Sequence, residues 1–205
     1  MRVLITVGPT REPIDAVRYL SNRSSGRMGA ALVTAAQKHG HSVTAIAGPI
    51  VVPFPQNIQR IDVETAAEMQ RAVLAQFPDH DLLIMAAAVA DYRPRQILDG
   101  KIPSGDSLTL QLEPTQDIIA LAGQSKRSDQ RTVAFSLESA GGIERARQKM
   151  LRKNVDLMVF NPTSTMHSPT VQAVLLYPDG RSEELGCREK AAFADILLQR
   201  AVALF

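Results

Sequence analysis

The sequence has one cysteine, Cys187, so no disulfide can form within the chain. With Arg188 and Glu189 beside it, the thiol reads as a surface group in a reducing compartment such as the cytoplasm. Histidine is almost as sparse. His39, His41, His80 and His167 are scattered, with no H-x-x-x-H pair and no cysteine or carboxylate at ligand spacing, which argues against a protein-ligated metal. Excess charge is missing too: 23 Lys and Arg stand against 21 Asp and Glu, and a net charge of +2 gives no bulk attraction to nucleic acid or membrane. The apolar run from Val3 to Val7 stops at Gly8-Pro9, too short for a signal peptide or a membrane helix. No internal repeat or low-complexity tract appears. A chain of 205 residues, 45% hydrophobic and 21% charged, fits one α/β domain spanning 1–205.

What is present is an alternation of short apolar runs with helical spacing. Val3 to Val7, Val43 to Ala47, Leu82 to Ala86, Thr132 to Phe135 and Leu157 to Phe160 read as strands buried on both faces of a parallel sheet. Helices are predicted from Ser24-Ser25-Gly26 to Gly40, from Thr65 to Gln76 with Glu68 completing a capping box, from Asp117 to Ala122, from Gly142 to Lys153, and as an amphipathic tail from Glu189 to Leu204. Val171 to Tyr177 and Arg181 to Leu185, joined by Pro178-Asp179-Gly180, read as an antiparallel hairpin. The fold expected is a three-layer α/β sandwich, mostly parallel, with that hairpin at the C-terminal end. Pro94 to Ser107 has no periodicity and carries Pro94, Gly100, Pro103 and Gly105, so it reads as a mobile loop.

Three segments could carry chemistry. The first, Gly8 to Gly29, joins the first strand to the first helix, where bare amides and the helix dipole favour an anion and Ser24, Ser25 and Gly26 permit close approach. Arg18, Asn22 and Arg23 add polar side chains at the carboxyl end of a parallel strand, although an N-cap with a packing glycine accounts for the same spacing. This loop spells neither G-x-G-x-x-G nor the P-loop pattern. The second segment, Ala86 to Pro94, ends a strand with small residues and Asp91. Small residues let a ligand lie on backbone, or simply pack tightly, and Asp91 is a ligand or a turn cap. The third sets Arg145, Lys149 and Lys153 four residues apart on one helix face, either a solvated cationic face or an anion contact. Phe135 ends a strand as core or as a base contact.

The blocks G-P-T-R-E-P-I-D-x-V-R-Y-L-S-N-R-S-S-G-R-M-G at 8 to 29, A-A-V-A-D-Y-R-P at 87 to 94 and R-Q-K-M-L-R-K-N-x-D at 147 to 156 resemble phosphopantothenoylcysteine synthetase. The resemblance implies a Rossmann-like sheet, a homodimer and a Mg²⁺-dependent, two-step ligase of coenzyme A synthesis using 4'-phosphopantothenate, L-cysteine and CTP. It implies that Asn22 holds the acyl nucleotide for attack by cysteine, with Arg18 steadying the junction and Lys101 as the lid lysine on a loop at about 94–107. Ser24, Ser25, Gly26 and Gly29 then line phosphates. Ala87, Ala88, Asp91, Thr115, Gln116, Asp117, Ile118, Phe135, Lys149 and Lys153 meet the nucleotide, and Mg²⁺ rides on its phosphates.

The chain departs from the family where Ile102-Pro103-Ser104 replaces Ile-Lys-Lys, where Thr115-Gln116 stands for Asn-Pro, and where Ser136-Leu137-Glu138-Ser139 replaces Ala-Ala-Glu-Thr. These positions bear on the lid and on the choice between CTP and ATP. Because the first strand begins at Arg2, a free-standing synthetase without flavin or decarboxylase domain is expected. Two other readings are a nicotinamide- or flavin-dependent reductase on the same sheet and a nucleotide-binding module without turnover. Against the reductase, Gly48-Pro49 rather than an acid follows the second strand, and no Tyr-x-x-x-Lys occurs.

Overall fold

The computed structural model describes residues 1–105, 107–138, 142–162 and 170–205. Ser139 and His167 lie outside the described residues. In chain order the elements are β1 (Arg2–Val7), β2 (Arg11–Pro13), β3 (Tyr19–Ser21), α1 (Arg27–Lys38), β4 (Ser42–Ala47), β5 (Gln59–Asp62), α2 (Ala66–Gln76), β6 (Leu82–Met85), β7 (Tyr92–Pro94), β8 (Leu112–Pro114), α3 (Ile118–Ser125), β9 (Arg131–Glu138), α4 (Ile143–Arg152), β10 (Leu157–Pro162), β11 (Thr170–Leu176), β12 (Ser182–Glu189) and α5 (Lys190–Val202).

Among the described residues the central sheet has the order β12-β11-β10-β9-β6-β1-β4-β5. The strands from β10 to β5 are parallel, and β11 and β12 close the other edge antiparallel. Side chains of a strand alternate between faces, and β1 shows what that does to the core. Val3, Ile5 and Val7 pack in the cluster beneath α1 and α5, whereas Leu4 joins Met69, Val73, Ile118, Ala146 and Met150 beneath α2, α3 and α4. Both faces are covered, so the strand reads as an unbroken apolar run. This is the predicted three-layer α/β sandwich with its C-terminal hairpin.

The differences are local and have physical causes. β5 is an edge strand of Gln59, Arg60, Ile61 and Asp62, mostly exposed, so no apolar run announces it. Two three-residue ribbons, β2 with β3 and β7 with β8, lie apart from the main sheet; Pro94 closes β7, so residues 95–111 connect the arms of a hairpin. α1 begins at Arg27 with Gly26 as its N-cap, within the Ser24-Ser25-Gly26 stretch expected to open it. α5 buries Phe193, Ala194, Leu197, Leu198 and Ala201, one face at helical spacing, against α1 and the sheet, as an amphipathic tail should.

Candidate functional site

After β1 the chain builds outward through β4 and β5, then returns to the other side of β1 with β6. The strand order reverses there, which is where open α/β sheets leave a crevice at the strands' carboxyl ends. The loops leaving β1 and β6 run side by side. Pro9 pairs with Ala88 in a parallel bridge, the Ala88 amide donates to Gly8 O (2.9 Å) and the Thr10 amide to Ala88 O (3.3 Å). Thr6 Oγ1 accepts from the Ala87 amide (3.1 Å) and Thr10 Oγ1 from the Ala90 amide (3.0 Å). Alanines at 86–88 and 90 thus let the second loop lie flat on the first.

The first loop ends in an uncapped helix. Gly26 is the N-cap of α1 with φ 76°, a left-handed conformation that disfavours a β-carbon, and no side chain caps the turn. The first helical bond runs from the Ala30 amide to Gly26 O (3.0 Å), so the amides of Arg27, Met28 and Gly29 have no acceptor within the helix. Ser24 instead accepts from the Gly26 amide (3.3 Å) and shapes the loop. Gly29 seats the helix on the sheet, since a β-carbon there would stand 2.7 Å from Val7 Cγ1. Three bare amides and a helix dipole therefore face the crevice.

Two connected hollows open over this corner. The larger, about 920 Å³, is bordered by Asn22, Ala87, Ala88, Asp91, Thr115 to Ile118, Phe135, Lys149 and Lys153. The smaller, about 190 Å³, is bordered by Ser24, Ser25, Gly26 and Gly29. Arg23, Ser24, Met28, Ala88, Phe135 and Leu137 belong to both. The expected phosphate and nucleotide residues are thereby brought together. Arg18 and Lys101 border neither hollow.

The polar groups of the larger hollow are held in place. Asn22 Nδ2 donates to Ala88 O (3.2 Å) and Val89 O (3.0 Å), which leaves Oδ1 as the acceptor this side chain offers. Thr115 is fastened to the second loop through its hydroxyl on Ala90 O (2.6 Å) and its amide on Asp91 O (2.9 Å). Lys149 Nζ lies 2.5 Å from Glu138 Oε1, and Arg145 Nε lies 3.2 Å from Oε2. The Lys149 hydrogen bond above all, then Arg145, holds the Glu138 carboxyl below its ordinary value. Lys153 Nζ pairs with Asp117 Oδ2 at 2.9 Å while Asp117 Oδ1 caps α3 through the Ala120 amide (3.1 Å). The cationic face of α4 is thus braced by carboxylates from β9 and α3. On the expectation that this hollow takes a nucleotide, Lys153→Ala should raise the nucleotide Kd by about tenfold, a charge-assisted contact's worth, with little change in thermal stability. Calorimetric titration measures this, and an unchanged Kd would place the lysine outside the site.

Arg18 and Lys101 stand on a flap built from 11–21, 92–105 and 107–114. Asp15 is its keystone. Its carboxylate, with no solvent exposure, accepts from the amides of Val17 (2.8 Å), Arg18 (2.7 Å) and Ile102 (3.0 Å) and from Arg18 Nη1 (2.6 Å). The Ile102 amide foremost, with the Val17 and Arg18 amides and the Arg18 charge, outweighs burial and lowers the Asp15 pKa from 3.8 to about 2. A depressed carboxylate pKa stabilises the fold above the unfolded value and loses that contribution as pH falls through the folded one. The Asp15 contribution to the flap should therefore be complete above about pH 4 and fade as pH falls from there through about 2, where the folded carboxyl takes up its proton and its contacts break. Following the Arg18 and Ile102 amide resonances through an acid titration tests this; loss already near pH 5 would contradict it.

The sequence reading missed Arg27, Asn161 and Lys190, all bordering the smaller hollow. Asn161 ends the apolar run of β10, a signal that was available. Lys190 opens α5, far along the chain from the loop, and no local pattern marks it; burial first, then Arg27, lowers its pKa. Among the described residues no group of three His, Cys, Asp or Glu side chains is placed to hold a metal. His80 is a buried structural residue, with Nδ1 2.7 Å from Gln76 O and Nε2 2.8 Å from Thr44 Oγ1. No helix among the described residues is long and apolar enough to cross a membrane.

Comparison with known proteins points the same way. Residues 1–204 match the family described as the DNA/pantothenate metabolism flavoprotein C-terminal domain. The coenzyme A biosynthesis bifunctional protein CoaBC of Escherichia coli (strain K12) is 38% identical over 213 residues, covering 100% of this chain and 52% of that protein. The chain thus spans about half the length of the curated relatives it matches. A cysteine/cysteine sulfinic acid decarboxylase from an unknown prokaryotic organism is 47% identical over 162 residues, covering 78% of this chain and 45% of that protein. Among solved structures, the C-terminal domain of CoaBC superposes with a TM-score of 0.84 at 34% identity, covering 99% of this chain and 95% of that one. Cab2 in complex with phosphopantothenate-cysteine shares the fold, with a TM-score of 0.83 at 19% identity, covering 98% and 85% of the two chains.

Proposed function

This chain belongs to the family of the DNA/pantothenate metabolism flavoprotein C-terminal domain, and from that premise we propose that it is a phosphopantothenate–cysteine ligase of coenzyme A synthesis. The observation that carries the proposal is that the two hollows share Arg23, Ser24, Met28 and Ala88 as lining, with Asn22 on the larger side and the amides opening α1 on the smaller. A nucleotide and an acyl substrate need a shared corner where a phosphorus atom and a carboxylate meet, and the bare amides of α1 with Lys149 and Lys153 suit the charge gathered there.

In the first step the phosphopantothenate carboxylate attacks the α-phosphate of CTP, forming an acyl cytidylate and releasing pyrophosphate. In the second, the cysteine amine attacks the acyl carbon, loses a proton and expels CMP. The gain from activation is chemical, since a carboxylate offers only oxide as leaving group and the mixed anhydride offers a stable phosphate. The protein's part is positioning and charge neutralisation. Asn22 Oδ1, the free acceptor of an otherwise tethered amide, suits an N–H of the attacking amine. Mg²⁺ would enter on the phosphates and supply further neutralisation, which fits a hollow where Asp91 is an exposed carboxylate and no cage surrounds it among the described residues. Neither step moves a hydride, so the proposal needs no flavin.

The proposal includes a homodimer. Val17, Tyr19, Tyr92, Ile97, Leu98, Leu108 and Leu112 are exposed apolar side chains gathered on the flap that carries Arg18 and Lys101. A second copy seated there would cover them and bring both cations toward a neighbouring hollow. Pyrophosphate release with phosphopantothenate, Mg²⁺ and each of the four nucleotides tests the function. Release strongest with CTP, and amide formed once cysteine is added, is the expected result. Hydride transfer, or binding without release, would overturn it.

A further inference from the structure

We propose that Asp15 is a positioning residue for Lys101, fixing the backbone that carries this lysine to the loop that carries Arg18. What Lys101 does rests on the ligase reading; how it is held rests on geometry alone.

The backbone is bonded on both sides of Lys101 while its side chain stays exposed. Ahead of it, the Ala16 amide donates to Gly100 O (3.1 Å) and the Leu98 amide to Ile14 O (3.0 Å). Behind it, the Ile102 amide donates to Asp15 Oδ2 (3.0 Å), and both terminal nitrogens of Arg18 reach Ile102 O at 3.3 Å. An aspartate in a turn ordinarily bonds only its own loop. Asp15 does that through Val17 and Arg18, but its Oδ2 also reaches a residue 87 positions away. A carboxylate accepts only, and all four of its partners donate, so no other side chain of this size satisfies them. The clamp is separate from both hydrophobic clusters, neither of which includes Asp15 or residues 98–102. Its loss should free the segment without opening the core.

The neighbouring carboxylate Glu12 does different work in the same loop. It is buried and accepts from the Ala66 amide (2.8 Å), tying β2 to the start of α2. The flap is thus tied to the scaffold through Glu12 and through the Arg11 amide on Glu64 O (2.8 Å), whereas Asp15 ties its loop to the lysine segment.

Asp15→Asn keeps the shape and turns an amide NH₂ toward donors. Limited trypsin digestion of this variant should cut after Lys101 about tenfold faster than in the parent protein, with other first cuts unchanged. In pyrophosphate release, Asp15→Asn should slow turnover about tenfold, but by clearly less when added to Lys101→Ala, because the part that acts through the lysine is then already lost. An unchanged trypsin rate at Lys101 would overturn the clamp, and losses that multiply in the double variant would overturn its action through Lys101. If Asp15→Asn fails to fold, hydrogen exchange of the parent protein decides. The Arg18 and Ile102 amides should open together with one protection factor, and independent opening contradicts the proposal. Trypsin and exchange need no turnover, so a failure of the ligase reading is told apart from a failure of the clamp.

Discussion

Asn22→Ala should let pyrophosphate leave at close to the normal rate while amide formation falls by about 10² to 10³, the loss typical for one preorganised polar group at a reacting centre. The side chain is exposed to the hollow, and its removal costs two hydrogen bonds to Ala88 O and Val89 O, about 1–2 kcal/mol of local stability. That is too little to unfold a domain whose core lies elsewhere. Rapid quenching after mixing with CTP and phosphopantothenate should show the acyl nucleotide accumulating and then decaying slowly when cysteine is added. Asn22→Asp is a harsher change, since it sets a carboxylate oxygen against two carbonyl oxygens and should disturb the junction itself. Normal amide production by Asn22→Ala would remove this residue from the chemistry.

Gly26→Ala should lose both stability and ligand binding. At φ 76° an L-residue costs about 1–2 kcal/mol, and the new methyl would lie 2.5 Å from Ile50 Cγ2, a contact that only a shift of Ile50 or of the start of α1 relieves. A drop in unfolding free energy of about 1–3 kcal/mol follows. Nucleotide affinity should fall by more than tenfold as the three amides tilt away from the phosphates. Adding Ile50→Ala separates the causes: it removes the clash and leaves the backbone strain, so affinity should recover further than stability. Affinity unchanged in Gly26→Ala would mean that the amides of α1 do not meet the ligand.

How far the sequence revealed this site depends on the range of the interactions involved. β1, β4, β6, β9 and β10 were legible because strands buried on both faces form continuous apolar runs, and the long loop from Gly8 to Gly29 marked the corner after the first strand. The edge strand β5 and the ribbons on the flap were not, because exposed three- and four-residue pairings leave no hydrophobic period. Within the loop, the pattern could not say which residues face a ligand. Asn22, Ser24 and Gly29 border the hollows, but Glu12 and Asp15 are buried scaffolding whose partners are Ala66 and Ile102. The helix expected to open near Ser24-Ser25-Gly26 has Gly26 as its N-cap, and Ser24 shapes the approach to that left-handed glycine. Lys190 joins the corner only through tertiary packing.

The central claim is that the exposed amides opening α1, together with Asn22, receive the activated acyl group. Its most direct test is a crystal structure of the protein with CTP, Mg²⁺ and phosphopantothenate in the absence of cysteine. An acyl nucleotide whose phosphate lies on the amides of 27–29 and whose acyl carbon lies beside Asn22 is the predicted result. Ligand bound elsewhere, with that corner filled only by solvent, would contradict the account.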